Sequence, residues 1–273
     1  MMPDPQYQIL QGDCLELMRG MEADSVDVVV TSPPYNTLGE RIPQTPTGMH
    51  ATNKWLSKVS AVGYNDNMSE GDYCEWLKDV ATEVARVLRP GGSYFFNHKV
   101  RYRDGWPVHP IDYVRSWPEF KMHQEIIWDR RGAFAFNCQK FAPSDERIYR
   151  MVKIGGIPYW NQAAAGFLSV WPISPLSGER IENHPCPFPI EIARRCIIAA
   201  CPPGGLVLDP FCGSGSTGKA ALLEGFRFVG CELSPEYATI ARARCEHAAK
   251  QGTESQPDLF TLAPSQSHAF AKS

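Results

Sequence analysis

Short apolar runs and longer amphipathic stretches alternate along the chain, with turn-forming residues between them. Tyr7–Gln11 reads as a strand that ends at Gly12-Asp13, and a short helix begins at Leu15. Residues 26–30, Val-Asp-Val-Val-Val, are a β-branched run of the kind found in buried parallel strands. Between 72 and 88, Trp76, Val80, Val84, Val87 and Leu88 recur at helical spacing, and Pro90-Gly91-Gly92 stops the helix. Segments 93–97, 124–128 and 147–152 are further strands. The second half repeats the alternation with helix 188–201, strand 206–209, helix 217–224, strand 226–231 and helix 235–247. Pro235 sits in the first turn of that last helix, where a missing N–H costs nothing. Seven strands interleaved with helices predict an α/β fold, a mostly parallel sheet covered by helices.

Two stretches break the pattern. Residues 36–67 are polar and glycine-containing, too long for an ordinary connection, and are expected to form a functional loop or lid. Residues 155–183 are irregular yet carry Tyr159, Trp160, Phe167 and Trp171, which predicts a packed recognition element. The polar tail is expected to be disordered. With no repeat and no linker, the reading is one domain over 1–250, inserts at 36–70 and 155–183, and a tail at 251–273.

Composition adds limits. A chain of 273 residues can bury one large core, and 43% hydrophobic with 21% charged content is ordinary for a globular protein. No apolar run approaches a membrane span, and Met1-Met2-Pro3-Asp4 lacks a charged-then-apolar signal, so a cytoplasmic protein is expected. Nine cysteines, an odd number without a C-x-x-C pair, are expected to be reduced, with no metal site. The net charge of −3 does not mark a nucleic-acid binder. Residues 97–153, however, hold 11 Lys/Arg against 7 Asp/Glu, a net of +4 that leaves −7 for the remainder. A basic face and ordinary scatter of surface charge both fit that count.

Two motifs carry chemistry. Asp209-Pro210-Phe211-Cys212-Gly213-Ser214-Gly215-Ser216-Thr217 lies between a strand and a helix. Its glycines allow a tight turn and close approach of a ligand, and the helix N-terminus offers free N–H groups. Glu232 ends the next strand, where a carboxylate can accept hydrogen bonds from ribose hydroxyls. A rival reading is a P-loop for ATP, from Gly213 to Gly218-Lys219, but Ala220 stands where a magnesium-binding hydroxyl is needed. The second motif, Ser32-Pro33-Pro34-Tyr35, follows the strand 26–30. It is either a rigid turn alone or a ligand-facing loop at a strand's carboxyl end.

Together, Thr31-Ser-Pro-Pro-Tyr35 and Asp209-Pro-Phe-Cys-Gly-Ser-Gly-Ser-Thr217 resemble the motif pair of DNA amino-methyltransferases. The catalytic motif precedes the cofactor motif, the order of the β group, in which the methyltransferase fold is circularly permuted. The resemblance runs from Tyr7 to His247. It implies a Rossmann-like, S-adenosylmethionine-dependent methyltransferase fold with a seven-stranded sheet. It also implies double-stranded DNA as partner, a possible homodimer, and a possible cognate restriction endonuclease.

The resemblance implies roles as well. Ser32 and the Pro33 carbonyl would accept the two N–H bonds of the target amino group, Pro34 would stiffen the turn, and Tyr35 would stack on a flipped base. Asp209, Pro210, Phe211, Gly213, Gly215 and Thr217 would surround the methionine end of S-adenosylmethionine, and Glu232 its ribose. His184-Pro185 resembles the motif that closes over methionine. Asp13 resembles an adenine-contacting acid and equally fits a helix cap. A serine at the first catalytic position is usual for cytosine-N4 enzymes and aspartate for most adenine-N6 enzymes, so Ser32 favours cytosine. Segment 124–128 resembles adenine enzymes of the group, and RNA or protein amide methylation and an inactive DNA-binding module stand as further alternatives.

Overall fold

The computed structural model describes residues 6–37, 66–132, 141–175 and 188–254. Its centre is an eight-stranded sheet. From one edge the order is β1 (Tyr7–Gln11), β10 (Arg227–Glu232), β9 (Leu206–Asp209), β2 (Val26–Thr31), β3 (Leu88–His98), β7 (Asp145–Lys153), β6 (Phe120–Asp129) and β8 (Val170–Pro172). The first five run parallel. Strand β7 is antiparallel to β3 and to β6, and β8 is parallel to β6. Seven of these strands are the predicted ones. The eighth, β8, is a three-residue edge strand inside the segment expected to be irregular, held by Ile127 N–H on the Ser169 carbonyl at 2.8 Å.

Helices cover both faces. On one side lie α1 (Cys14–Arg19), α2 (Glu70–Val87) and α3 (Ile111–Val114), packed on Val29, Tyr94, Phe96 and Tyr149. On the other lie α4 (Ile190–Ala200), α5 (Ser216–Leu223) and α6 (Pro235–Glu254), packed on Val28, Val30, Phe95 and Val207. Val28, Val29 and Val30 thus alternate between two cores, as successive strand residues must. This explains why β2 is buried at every position and apolar on both faces.

Helix α2 is capped by the Ser69 hydroxyl, which accepts the Asp72 N–H at 3.1 Å. It buries Tyr73, Leu77, Val80, Ala81, Val84 and Val87, a stripe at helical period. It ends one residue before the expected 88, because Leu88 is already extended. Strand β3 accordingly starts before the predicted 93. Gly91 fits there at φ +80, where an added Cβ would lie 2.5 Å from the Ile157 carbonyl oxygen.

A hairpin escaped the sequence reading: β4 (Arg101–Arg103) and β5 (Trp106–Val108), antiparallel and joined by Asp104-Gly105. Both turn residues have positive φ, 51° and 87°, the signature of a type I′ turn. Helix α6 runs to Glu254, so residues 251–254 of the expected tail are helical. Residues 255–273 lie outside the described residues. Seven cysteines are free among the described residues, and burial pushes the thiols of Cys14, Cys231 and Cys245 up to about 12. Among the described residues no helix is long and apolar enough to cross a membrane, and no cluster of His, Cys, Asp and Glu could hold a metal.

Candidate active site

Strands β9 and β2 are neighbours at the centre of the sheet, but the chain leaves them in opposite directions. From β2 it passes to β3 on one side, and from β9 to β10 on the other. Adjacent parallel strands with diverging connections leave a crevice beyond their carboxyl ends. Ser32–Tyr35 continues β2 into that crevice, and the turn from Asp209 continues β9. One bond joins them: the Thr31 hydroxyl donates to Asp209 Oδ1 at 2.5 Å, across 178 positions of sequence.

Around the first motif the structure assembles a polar cluster. The hydroxyls of Ser32 and Tyr35 stand 2.6 Å apart, and Tyr35 donates to Glu146 Oε2 at 2.9 Å. A phenol that donates its only proton to Glu146 must accept from Ser32, so the Ser32 O–H points at Tyr35. Asn97, from the end of β3, donates through Nδ2 to the Tyr35 hydroxyl at 2.6 Å and to Glu146 at 2.9 Å, with Ser32 Oγ at 3.3 Å. Its Oδ1 is buried and finds no hydrogen-bond donor among the described residues. Glu146, at the start of β7 and 4% exposed, is balanced by Arg130 at 3.2 Å.

Beneath the turn, the Tyr73 hydroxyl lies 2.6 Å from the Pro34 carbonyl and 2.8 Å from His98 Nε2. The His98 ring packs against Tyr35 with centroids 4.6 Å apart. Burial holds this imidazole neutral, down to about 3. The turn then leaves through Asn36, buried at φ 54, whose side chain bonds Met68 twice: it accepts the Met68 N–H at 2.7 Å and donates to its carbonyl at 3.0 Å. Thr37 donates to Asp66 at 3.0 Å, so both ends of the excursion 36–67 are clasped. Residues 38–65 lie outside the described residues.

The second motif is a buried acidic turn. Asp209 is raised from 3.8 to about 6 by burial, opposed by the hydroxyls of Thr31 and Thr217 and by the Phe211 N–H at 3.0 Å. Gly213 and Gly215 both have positive φ, 52° and 82°, and Gly215 opens α5. Glu232 accepts the Gly213 N–H and the Ser234 N–H, each at 2.8 Å, and its carboxyl is also pushed up by burial. Phe211 turns its ring to Trp76 at 5.4 Å.

Among the described residues no ion pair holds Asp209 or Glu232. Buried carboxyls without a cation suit a ligand with a positive centre and hydroxyl groups, and would repel a polyphosphate. That chemistry fits S-adenosylmethionine and disfavours the P-loop alternative. Gly218 instead lies within α5, where an added Cβ would meet Phe228 at 2.5 Å and Cys245 at 2.6 Å, so it is a packing glycine.

Of the residues singled out in the sequence, Ser32, Pro33, Pro34, Tyr35, Asp209, Pro210, Phe211, Gly213, Gly215, Thr217 and Glu232 lie around this crevice. Asp13 caps α1, its Oδ1 accepting the N–H groups of Leu15 at 2.9 Å and Glu16 at 3.1 Å. Its strand β1 runs beside β10, with Gln11 opposite Glu232. His184 and Pro185 lie outside the described residues. Asn97, Glu146, Tyr73, His98 and Arg130 were not anticipated. The available signal was a polar side chain ending each of two apolar runs.

A family model described as DNA methylase matches residues 26–243. Curated relatives include the type II methyltransferase M.ScaI of Streptomyces caespitosus, 29% identical over 89% of this chain and 82% of that protein. Another is the DNA adenine methyltransferase YhdJ of Escherichia coli K12, 24% identical over 90% and 85%. Among solved structures, a DNA modification methylase of Thermus thermophilus, TTHA0409, complexed with S-adenosyl-L-methionine, is 26% identical with TM-score 0.61, covering 89% of this chain and 96% of that one. The cytosine-N4-specific PvuII DNA methyltransferase shares the fold at TM-score 0.68 and 20% identity, covering 92% and 94%. With a family model spanning most of its length and a permuted α/β sheet to match, the chain belongs to the DNA methylase family of S-adenosylmethionine-dependent amino-methyltransferases.

Proposed function

We propose that this chain methylates the exocyclic N4 of a cytosine flipped out of double-stranded DNA, with Ser32, Pro33 and Tyr35 at the base and Asp209–Thr217 with Glu232 at the cofactor. The observation that carries this reading is the Thr31–Asp209 bond, which sets the two motifs side by side at the centre of the sheet. When bound, S-adenosylmethionine supplies an electrophilic methyl group on a sulfonium. Asp209 and Glu232 are the carboxyls that would face its positive and hydroxyl-bearing parts, with Asp13 beside the adenine.

The exocyclic nitrogen is a poor nucleophile because its lone pair is delocalised into the ring. Two acceptors drawing on its N–H bonds localise that pair. Ser32 suits the first role because its own proton is committed to Tyr35, leaving lone pairs for the base. The Pro33 carbonyl suits the second, since a proline backbone is fixed before the reaction begins. The nitrogen that gains the methyl sheds a proton, and the line Ser32, Tyr35, Glu146 ends on a carboxylate able to take it. The aromatic segment 155–183 is the candidate recognition element.

Ser32 supports cytosine over adenine, while the relatives include an enzyme named for adenine and one named for cytosine N4. Relatives named type II methyltransferases support partnership with a restriction endonuclease. The test is tritium transfer from labelled S-adenosylmethionine to unmethylated DNA, followed by nucleoside analysis. Label in N4-methyldeoxycytidine is expected. Label in N6-methyldeoxyadenosine would overturn the choice of base, and label only in RNA or protein would overturn the substrate. Ser32→Ala and Tyr35→Ala should each lower transfer on the order of 100-fold while cofactor binding survives. Loss of cofactor binding in both would show that the two roles are misassigned.

A further inference from the structure

The β4–β5 hairpin carries an indole that neither core nor catalytic turn uses. Trp106 is 78% exposed, directly after the Asp104-Gly105 turn. A large aromatic held in water on a tight, geometrically fixed turn is a costly arrangement unless it meets a partner.

The pairing register tells which way this face looks. Arg103 pairs with Trp106 and Arg101 with Val108, so these four side chains share one face of the hairpin. That face is braced against the catalytic turn at two points. Arg103 Nη2 donates to the Asn36 carbonyl at 2.5 Å, one residue after Tyr35. Arg101 is fully buried, holds Glu70, and lies 4.6 Å over the Tyr73 ring, whose hydroxyl meets the Pro34 carbonyl. Trp106 is therefore displayed beside the mouth of the base site, on a rigid support that shares contacts with the Ser-Pro-Pro-Tyr turn. The hairpin also belongs to residues 97–153, the part of the chain with a net charge of +4, which suits a phosphate-lined partner.

We propose that Trp106 is a wedge for duplex DNA, stacking into the helix beside the target and occupying the space that the flipped base leaves. This inference rests on the reading that the chain methylates a flipped base. Extracting a paired base costs a few kcal/mol of stacking and pairing, and an aromatic side chain inserted at the gap recovers part of the stacking. The cost is smallest for a mismatched base, so the wedge matters least there.

The experiment follows from that difference. The sequence methylated by the wild-type chain is first mapped on PCR-amplified DNA. Transfer is then measured on two oligonucleotide duplexes containing it, one fully paired and one with the target base mismatched. Trp106→Ala should lose at least tenfold on the paired duplex and stay within threefold of wild type on the mismatched one. Trp106→Phe should keep most activity on both, and cofactor binding should be unchanged in either variant. Equal losses on the two duplexes would overturn the wedge in favour of a general role, and no loss on either would assign the tip to another partner. A wild-type chain that methylated no DNA would overturn the function itself, an outcome distinct from active wild type with an indifferent Trp106→Ala.

Discussion

Sealed from water and bonded to hydroxyls rather than to a cation, Asp209 is costly to ionise. Its carboxyl titrates at about 6 instead of 3.8, so the folded chain binds its proton more tightly than the unfolded chain does. The stability from this proton is complete below about 3.8 and is lost as pH rises through about 6, a change of ~3 kcal/mol. Asp209→Asn, which keeps an acceptor for Thr31 and Phe211 but never ionises, should therefore be more stable than wild type at pH 8 by up to ~3 kcal/mol. The gain should vanish near pH 4, and urea titrations at the two pH values measure it. An equal gain at both would assign the effect to packing instead. The same variant should bind cofactor more weakly, since a charge that destabilises the empty fold is held for a cationic ligand. At His98 the count of protons is equally strict. A neutral imidazole has one N–H, which the Lys99 carbonyl takes at 2.7 Å, so Nε2 accepts and competes with Pro34 for the Tyr73 proton.

The cofactor turn depends on backbone shapes that side chains oppose. Gly215 opens α5 at φ 82, and an added Cβ would stand 3.0 Å from Ala241 Cα. Gly215→Ala should cost ~1–3 kcal/mol of unfolding free energy in urea, from left-handed strain plus the clash with α6. A variant as stable as wild type would mean that α6 yields at no cost. These glycines, and the strands and helices they punctuate, were legible in the sequence because apolar period and turn residues agree over five or more positions. The β4–β5 hairpin was not. Its strands have three residues each and contain Pro107 and two arginines, too short and too polar for a period to emerge, although Asp104-Gly105 is itself a strong hairpin signal. Strand β8 escaped for the same reason.

Across the whole molecule, what sequence patterns could not supply is adjacency. Ser32 and Asp209 were identified by motif, but no periodicity predicts that Thr31 touches Asp209, or that Asn97 and Glu146 close over Tyr35 from antiparallel strands. Those contacts follow from strand order, set by long-range pairing. Topology has another effect at Asn36. The 28 residues 38–65 leave and re-enter the fold through a single side chain bonded twice to Met68, with Thr37 on Asp66 behind it. A segment closed at its root in this way is thermodynamically insulated, because the length between the closed ends enters only as a logarithm. Replacing residues 41–62 with an eight-residue Gly/Ser linker should change the unfolding free energy by under ~1 kcal/mol in urea, and a loss above ~3 kcal/mol would show that the segment belongs to the core. The Ser-Pro-Pro-Tyr turn can then be inherited intact while the stretch after it is lengthened, shortened or exchanged. Descendants of one such enzyme are free to acquire new contacts there without refolding the chemistry they share.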